Sequence, residues 1–189
     1  MLNKEAKLFV ISAPSGTGKS TLICEVMELI PILKKTISYT TRQPRGEEKT
    51  GLDYNFVSVD EFKQLEEKGK FIETATVYGN LYGTSLETIK ASLASGQYLI
   101  KDIDTQGALN LKKILKDKAV LIFVKPPTLM ELEKRLRDRG TDSDAVIKSR
   151  LENAVKEIKE SVKYDHVIVN DSLDNTVQEF EAIINGYIK

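Results

Sequence analysis

The chain has 189 residues, 41 % of them apolar and 30 % charged, which describes one soluble globular domain with room for inserted subdomains. Lys and Arg number 28 and Asp and Glu 28, so the formal net charge is zero and nothing marks the whole chain as a binder of nucleic acid. A single cysteine excludes an internal disulfide and a multi-cysteine zinc site. No apolar run is long enough for a membrane span and no signal-peptide core follows Met1, so a cytoplasmic protein without a membrane partner is expected.

The chain opens with an apolar run, Leu8-Phe9-Val10-Ile11, suited to a buried parallel strand. Ala13-Pro14-Ser15-Gly16-Thr17-Gly18-Lys19-Ser20 follows, and then a helical pattern of Leu22, Ile23, Val26, Met27 and Ile30. Strand, Gly-rich turn and helix, with Gly-Lys-Ser at the end of the turn, is the context of a phosphate-binding P-loop. Glycines let several N–H groups face one concavity, and the helix aims its positive end there. Lys19 is expected to reach the β- and γ-phosphates of a nucleotide, and the Ser20 hydroxyl to take a place on Mg²⁺. Ala13 stands where the general pattern has its first Gly, so the backbone there is expected at negative φ. Cys24, on the helix, is expected to be a buried small apolar residue.

Beyond Pro31, residues 35–41 alternate and favour a strand, and 42–51 form a polar loop. Residues 54–58 read as a strand, and Ser58 with Glu61 forms a capping box for a helix that ends at Gly69. Residues 71–78 and the short stretch near 79–84 are strand-like. Residues 35–84 therefore form a β-rich insertion. Around it, helices with Leu86, Ile89 and Leu93, at 105–117, from 129, at 144–162 and at 173–187 alternate with strands at 97–104, 119–124 and 166–169. Such alternation predicts an α/β fold, a parallel sheet with helices on both faces, and ligands beyond the carboxyl ends of the strands. The expected division is a core of 1–34 and 85–189, an insertion of 35–84, and a helical lid at about 137–148.

Three constellations carry chemistry. Asp102 and Asp104 end an apolar strand, where a carboxylate suits Mg²⁺ or its waters, or caps the next helix. Arg42 and Arg45 flank Pro44 and form a rigid fork for a doubly charged phosphate. Arg135 and Arg139 share one helix face before the break at Gly140-Thr141-Asp142, and with Arg150 they suit a lid that neutralises a transferring phosphoryl group. Arg137 is as well explained by surface salt bridges. The only histidine, His166, reads as structural.

These residues resemble the guanylate kinases over nearly the whole chain. The resemblance is densest at Ser38-Tyr39-Thr40-Thr41-Arg42-Gln43-Pro44-Arg45 and Gly51-Leu52-Asp53-Tyr54-Asn55-Phe56-Val57. Phe71-Ile72-Glu73, Tyr78-Gly79-Asn80-Leu81-Tyr82-Gly83-Thr84, Asp102-Ile103-Asp104-Thr105-Gln106-Gly107-Ala108 and Arg139-Gly140-Thr141-Asp142 extend it. The resemblance implies a P-loop NTPase core with a GMP-binding insertion and a lid, catalysing ATP + GMP ⇌ ADP + GDP with magnesium. It implies that Arg42, Arg45, Tyr54 and Tyr82 hold the GMP phosphate, and that Ser38, Glu73 and Thr84, with Asp104 nearby, face the guanine. It places residues 13–20 and Thr21 on the ATP phosphates, Asn170 at the adenine, and Ser20 and Asp102 at the metal. It assigns catalysis to Lys19, Arg42, Arg135, Arg139 and Arg150. A non-enzymatic peptide-binding module on the same fold is the alternative, and the intact Gly18-Lys19-Ser20 argues against it. Three positions depart from the family pattern: Thr74, Leu81, and Lys101 in a strand position that is usually apolar. The partners implied are the small molecules ATP and GMP; the motifs carry no statement about oligomeric state.

Overall fold

The computed structural model describes residues 5–77, 79–140 and 142–188. Tyr78 and Thr141, both named in the sequence reading, lie outside the described residues. Met1 to Lys4 and Lys189 do as well.

The chain runs β1 (Leu8–Ser12), α1 (Lys19–Leu29) and β2 (Leu33–Lys35), then β3 (Tyr39–Thr40), β4 (Asn55–Phe56), α2 (Val59–Glu67), β5 (Phe71–Val77) and β6 (Asn80–Ser85). It continues through α3 (Leu86–Ala94), β7 (Tyr98–Asp102), α4 (Thr105–Leu115), β8 (Ala119–Lys125), α5 (Leu129–Asp138), α6 (Asp144–Glu160), β9 (His166–Val169) and α7 (Leu173–Ile188). Five strands form one parallel sheet in the order β2-β7-β1-β8-β9. Successive side chains of a strand point to opposite faces, and here both faces are apolar. Phe9, Ile11, Ile100, Val120 and Ile122 pack under α1 and α7, against Leu22, Val26, Phe180 and Ile184. Leu8, Val10, Leu99, Leu121 and Phe123 pack under α3 and α4, against Ile89, Leu93, Ala108 and Leu111. Burial on both faces is what a continuous apolar run such as β8 requires.

A second sheet of four strands has the order β4-β3-β6-β5. Its β5–β6 hairpin pairs Glu73 with Thr84. Phe62 of α2 covers it, with ring centroids 4.6 Å from Phe71. Ser58 caps α2 by accepting from the Glu61 N–H, as the sequence predicts.

Two readings change. The alternating run at 35–41 is not one strand. Lys35 still pairs with the core strand β7 and the Thr36 N–H donates to the Ile100 carbonyl, whereas the Ser38 carbonyl accepts from Asn55 in the second sheet. The chain changes sheets between them, so alternation alone did not reveal the break. Cys24 is exposed, not buried. At 100° per residue, the α1 stripe of Leu22, Ile23, Val26 and Ile30 leaves position 24 on the opposite face. Among the described residues no helix is long and apolar enough to cross a membrane.

Candidate active site

The loop between β1 and α1 is built by backbone. Gly16 and Gly18 have φ of +89° and +94°, the left-handed region open to glycine, while Ala13 is not among the positive-φ residues, as expected. A Cβ on Gly18 would lie 2.8 Å from the Asn170 amide nitrogen. That nitrogen donates to the Thr17 carbonyl at 2.6 Å, so buried Asn170, just past β9, braces the loop from below. Helix α1 starts at Gly18 with no side-chain cap, whereas Ser58, Ser85, Asp104 and Thr128 cap α2, α3, α4 and α5. The first N–H groups of α1 are thus left facing the loop, where an anion is favoured by both hydrogen bonding and the helix dipole. Ser20 and Thr21 are exposed on that first turn.

Next to the loop is a cleft of about 300 Å³. The core contributes Lys19, Lys101, Asp102, Ile103 and Asp104; the second sheet and its connections contribute Ser38, Tyr54, Glu73, Tyr82 and Thr84. Lys19 Nζ lies 4.0 Å from Asp102 Oδ2. Asp104 is the N-cap of α4, its carboxylate accepting from the Gly107 N–H at 2.8 Å. The two aspartates therefore divide: Asp102 faces Lys19, and Asp104 fixes the helix while still lining the cleft. Across the cleft, Thr84 Oγ1 donates to Glu73 Oε1 at 2.7 Å, which orients the carboxylate. Their cross-strand register on β5 and β6 makes that contact automatic.

Of the two loop arginines, Arg42 has the more partners for its side chain. Its Nη2 donates to both Glu48 carboxylate oxygens at 2.9 Å and its Nη1 to the Gln43 carbonyl. The guanidinium lies 5.3 Å from the Tyr54 ring centroid and 5.7 Å from that of Phe56. Tyr54 in turn meets Tyr82 edge-on at 6.0 Å. Arg45 is exposed and touches the same carboxylate through its backbone N–H, at 2.8 Å to Glu48 Oε2. That N–H, followed by the Arg42 contact, holds the Glu48 carboxyl below its ordinary value despite burial. Sequence reasoning missed Glu48, because one acidic residue among Glu47, Glu48 and Lys49 has no signature; only the folded loop selects it.

The remaining arginines come from α5 and α6. Arg135 donates to Glu131 Oε1 and to the Asn170 carbonyl. Arg150 donates to the Ser15 hydroxyl of the loop and to Asp142 Oδ1. Arg139 caps the end of α5 and is exposed. Arg137 pairs with Glu133 and Asp144, the surface arrangement anticipated for it. Glu157 of α6 was also missed: burial raises its pKa, Lys19 opposes that and Asp104 reinforces it, so a third carboxylate stands at the margin of the site. His166 Nε2 is 2.9 Å from the Tyr187 hydroxyl, a contact between β9 and α7, and His166 is not among the residues that line the cleft.

The guanylate kinase family model matches residues 5–187. The chain belongs to the guanylate kinase family. It is 46 % identical to a guanylate kinase of Geobacter metallireducens over 183 residues, covering 97 % of this chain and 90 % of that protein. It is 47 % identical to one of Desulfotalea psychrophila over 183 residues, with the same coverage of both chains. Its fold is similar to the crystal structure of a guanylate kinase from Anaplasma phagocytophilum, with a TM-score of 0.73 and 33 % identity over all of this chain and 90 % of that one. The resemblance read at the motifs thus extends over both sheets and the helices between them.

Proposed function

We infer that this guanylate kinase transfers the γ-phosphoryl group of ATP to GMP and yields ADP and GDP. The observation that carries the reading is the cleft itself, where Lys19 and Asp102 of the P-loop core face Glu73, Thr84, Ser38 and Tyr82 of the second sheet. ATP phosphates would rest on the loop N–H groups of residues 13–21 with Lys19 against the β- and γ-phosphates, and adenine would lie past Asn170. The GMP phosphate would be taken by Arg42, Arg45, Tyr54 and Tyr82. Guanine would face Ser38, Glu73 and Thr84, with Asp104 nearby. Glu73 offers two acceptors to guanine N1–H and N2–H₂, and adenine would leave that carboxylate unpaired in a partly buried site.

Phosphoryl transfer between two phosphates needs positioning and cations rather than a strong base. Lys19 and the arginines supply both. Arg150 already touches the loop at Ser15, and Arg135 touches Asn170 beneath it. Arg139, exposed at the end of α5, would approach as the lid closes. The Ser20 hydroxyl and the Asp102 carboxylate are hard oxygen donors of the kind Mg²⁺ takes together with nucleotide phosphates, so this pair would hold the ion. When bound, it neutralises charge on the phosphate oxygens. The intact loop and its Lys19 have no use in a peptide-binding module, which disfavours that alternative.

A coupled assay with ATP and each of GMP, AMP, CMP and UMP tests the reading. Rapid ADP formation with GMP alone is expected; equal rates with all four would overturn it. We also propose that residues 35–84 and the lid at about 137–148 move on a fixed core. Solution scattering should then show compaction with GMP and ATP together, and an unchanged profile would count against it.

A further inference from the structure

Of the three departures from the family pattern, Lys101 is the one that lines the cleft, and the functional reading leaves it unused. It sits on β7 between Ile100 and Asp102, in register with Val10 of β1. Its strand neighbours on the same face, Leu99 and Ile103, belong to the apolar cluster under α3 and α4. Yet the residue is only 9 % exposed, and its side chain runs through that apolar layer to the floor of the cleft. There Nζ donates to Ser38 Oγ at 2.9 Å. Ser38 is itself buried, at 8 % exposure. An ammonium has three N–H donors and no acceptor. Ser38 is its one hydrogen-bonded partner among the described residues. Burial lowers its pKa below the ordinary lysine value, Asp102 and Glu73 oppose this through space by favouring the charged form, and Lys35 and Lys19 add to the lowering. A buried cation with donors to spare is costly unless something pairs with it. The cleft is where that partner would come from.

We propose that Lys101 is a specificity-determining residue of this enzyme, its ammonium donating to O6 of the bound guanine in concert with the Ser38 hydroxyl. The proposal rests on the reading that the base lies in this cleft with its N1–H and N2–H₂ on Glu73. Along that edge guanine presents two donors and then the O6 acceptor. Glu73 answers the two donors, and the Lys101–Ser38 pair answers the acceptor. Because Ser38 Oγ accepts from Lys101, its own proton is free to point into the cleft, so both groups present donors to one spot. Adenine has an amino group where guanine has O6. It would set N–H donors against an ammonium, a mismatch added to the one at Glu73. The base is thus read by an acceptor at one end and a cation at the other, and Thr84, whose hydroxyl donates to Glu73, positions rather than reads.

The test compares the wild type with Lys101→Met and Lys101→Leu, using GMP, IMP, AMP and 6-thioguanosine monophosphate at saturating ATP. Met and Leu suit a site beside Leu99 and Ile103, and melting curves check that both variants fold. The kcat/KM for GMP and for IMP, which keeps O6 and lacks the 2-amino group, should fall together by about tenfold or more, the worth of one hydrogen bond to a charged group. The value for AMP should not fall, so the GMP-to-AMP ratio narrows by the same factor. The wild type should prefer GMP to its 6-thio analogue, and the variants should lose much of that preference. A residue that merely ties β7 to Ser38 would lower GMP and AMP equally; that outcome overturns the proposal. Equal wild-type values for GMP and the 6-thio analogue overturn it without any variant. If the wild type does not prefer GMP to AMP at all, the reading of the cleft fails with it. If that preference holds and only the Lys101 effects are missing, the cleft reading stands and the role of Lys101 falls.

Discussion

The two sheets hold their functional groups in different ways. The parallel core sheet is apolar on both faces and fixes the P-loop by burial: Phe9, Ile11, Leu121 and Ile122 are fully buried beneath it. What it presents to the triphosphate is mostly backbone, a curled loop and an uncapped helix end, with Lys19 beside them and Lys101 further along the cleft. The four-stranded sheet buries little, and its strand residues are largely half-exposed. It holds its polar groups by pairing them with each other: Thr84 on Glu73, Arg42 on Glu48, and Tyr54 edge-on to Tyr82. The nucleotide triphosphate, common to many enzymes, is assigned to the rigid part. The choice of base is assigned mainly to the part built from mutual polar contacts, with Lys101 of β7 reaching the same cleft from the core.

Substitutions can break that comparison, and the largest effect is expected in the core. Lys19→Ala should lower kcat by roughly 10²–10³, about 2.7–4 kcal/mol of transition-state stabilisation. GMP affinity, measured by calorimetry, should stay close to wild type, because Lys19 is assigned to the ATP phosphates and not to the base or phosphate of GMP. A large loss of GMP affinity would show that the two regions are not separable.

Glu73→Gln comes next. One acceptor remains, but an amide N–H₂ now opposes a donor of guanine. The loss should be about 1.5–3 kcal/mol in kcat/KM for GMP, with a much smaller change for ATP and relaxed discrimination against AMP. A retained wild-type preference for GMP would move base recognition elsewhere.

Thr84→Val should act in the same direction and less, because it removes the donor that orients Glu73 without removing the carboxylate. The bond removed is to a charged group, worth about 1.5–3 kcal/mol in full, and only part of that should be lost because the carboxylate itself remains to pair with the base. Steady-state kinetics should show a rise of a fewfold in KM for GMP and little change in kcat. If Thr84→Val equals Glu73→Gln in size, Thr84 itself reads the base.

The smallest effect concerns acid. Glu48 has its folded pKa lowered, so the stability it lends the 42–48 loop is present above the ordinary carboxylate value of 4.5 and is lost as pH falls through the lowered folded value. Amide exchange near residue 42 should therefore rise on acidification before exchange in β8 does. Glu48→Gln should remove that response. An identical acid response in the variant would assign it to another group.

Much of this was legible in the sequence, and the legible parts share a property. The P-loop, the Ser58 cap and the apolar strands depend on neighbours within a few residues, so spacing reports them directly. The polar positions of the cleft were named from a resemblance, motif by motif, and their chemistry could be checked one residue type at a time. Periodicity was less reliable where the environment is set from a distance. Val146 and Ile114 continue apolar helical patterns but are 41 % and 45 % exposed, and Cys24 falls off the buried stripe of its own helix.

What only the tertiary structure decided is which groups meet. Sequence spacing places Ser38 and Lys101 63 positions apart, and nothing local says that a lysine in an apolar strand ends on that hydroxyl. It likewise cannot choose Glu48 over Glu47 as the partner of Arg42, set Glu157 beside Lys19, or place Asn170 under a loop 153 residues earlier. The physical reason is range. Turn geometry, caps and strand burial are fixed by short stretches of chain, whereas the pairing of buried polar groups is fixed by how two sheets and their helices pack, and a buried donor takes whichever acceptor that packing brings to it.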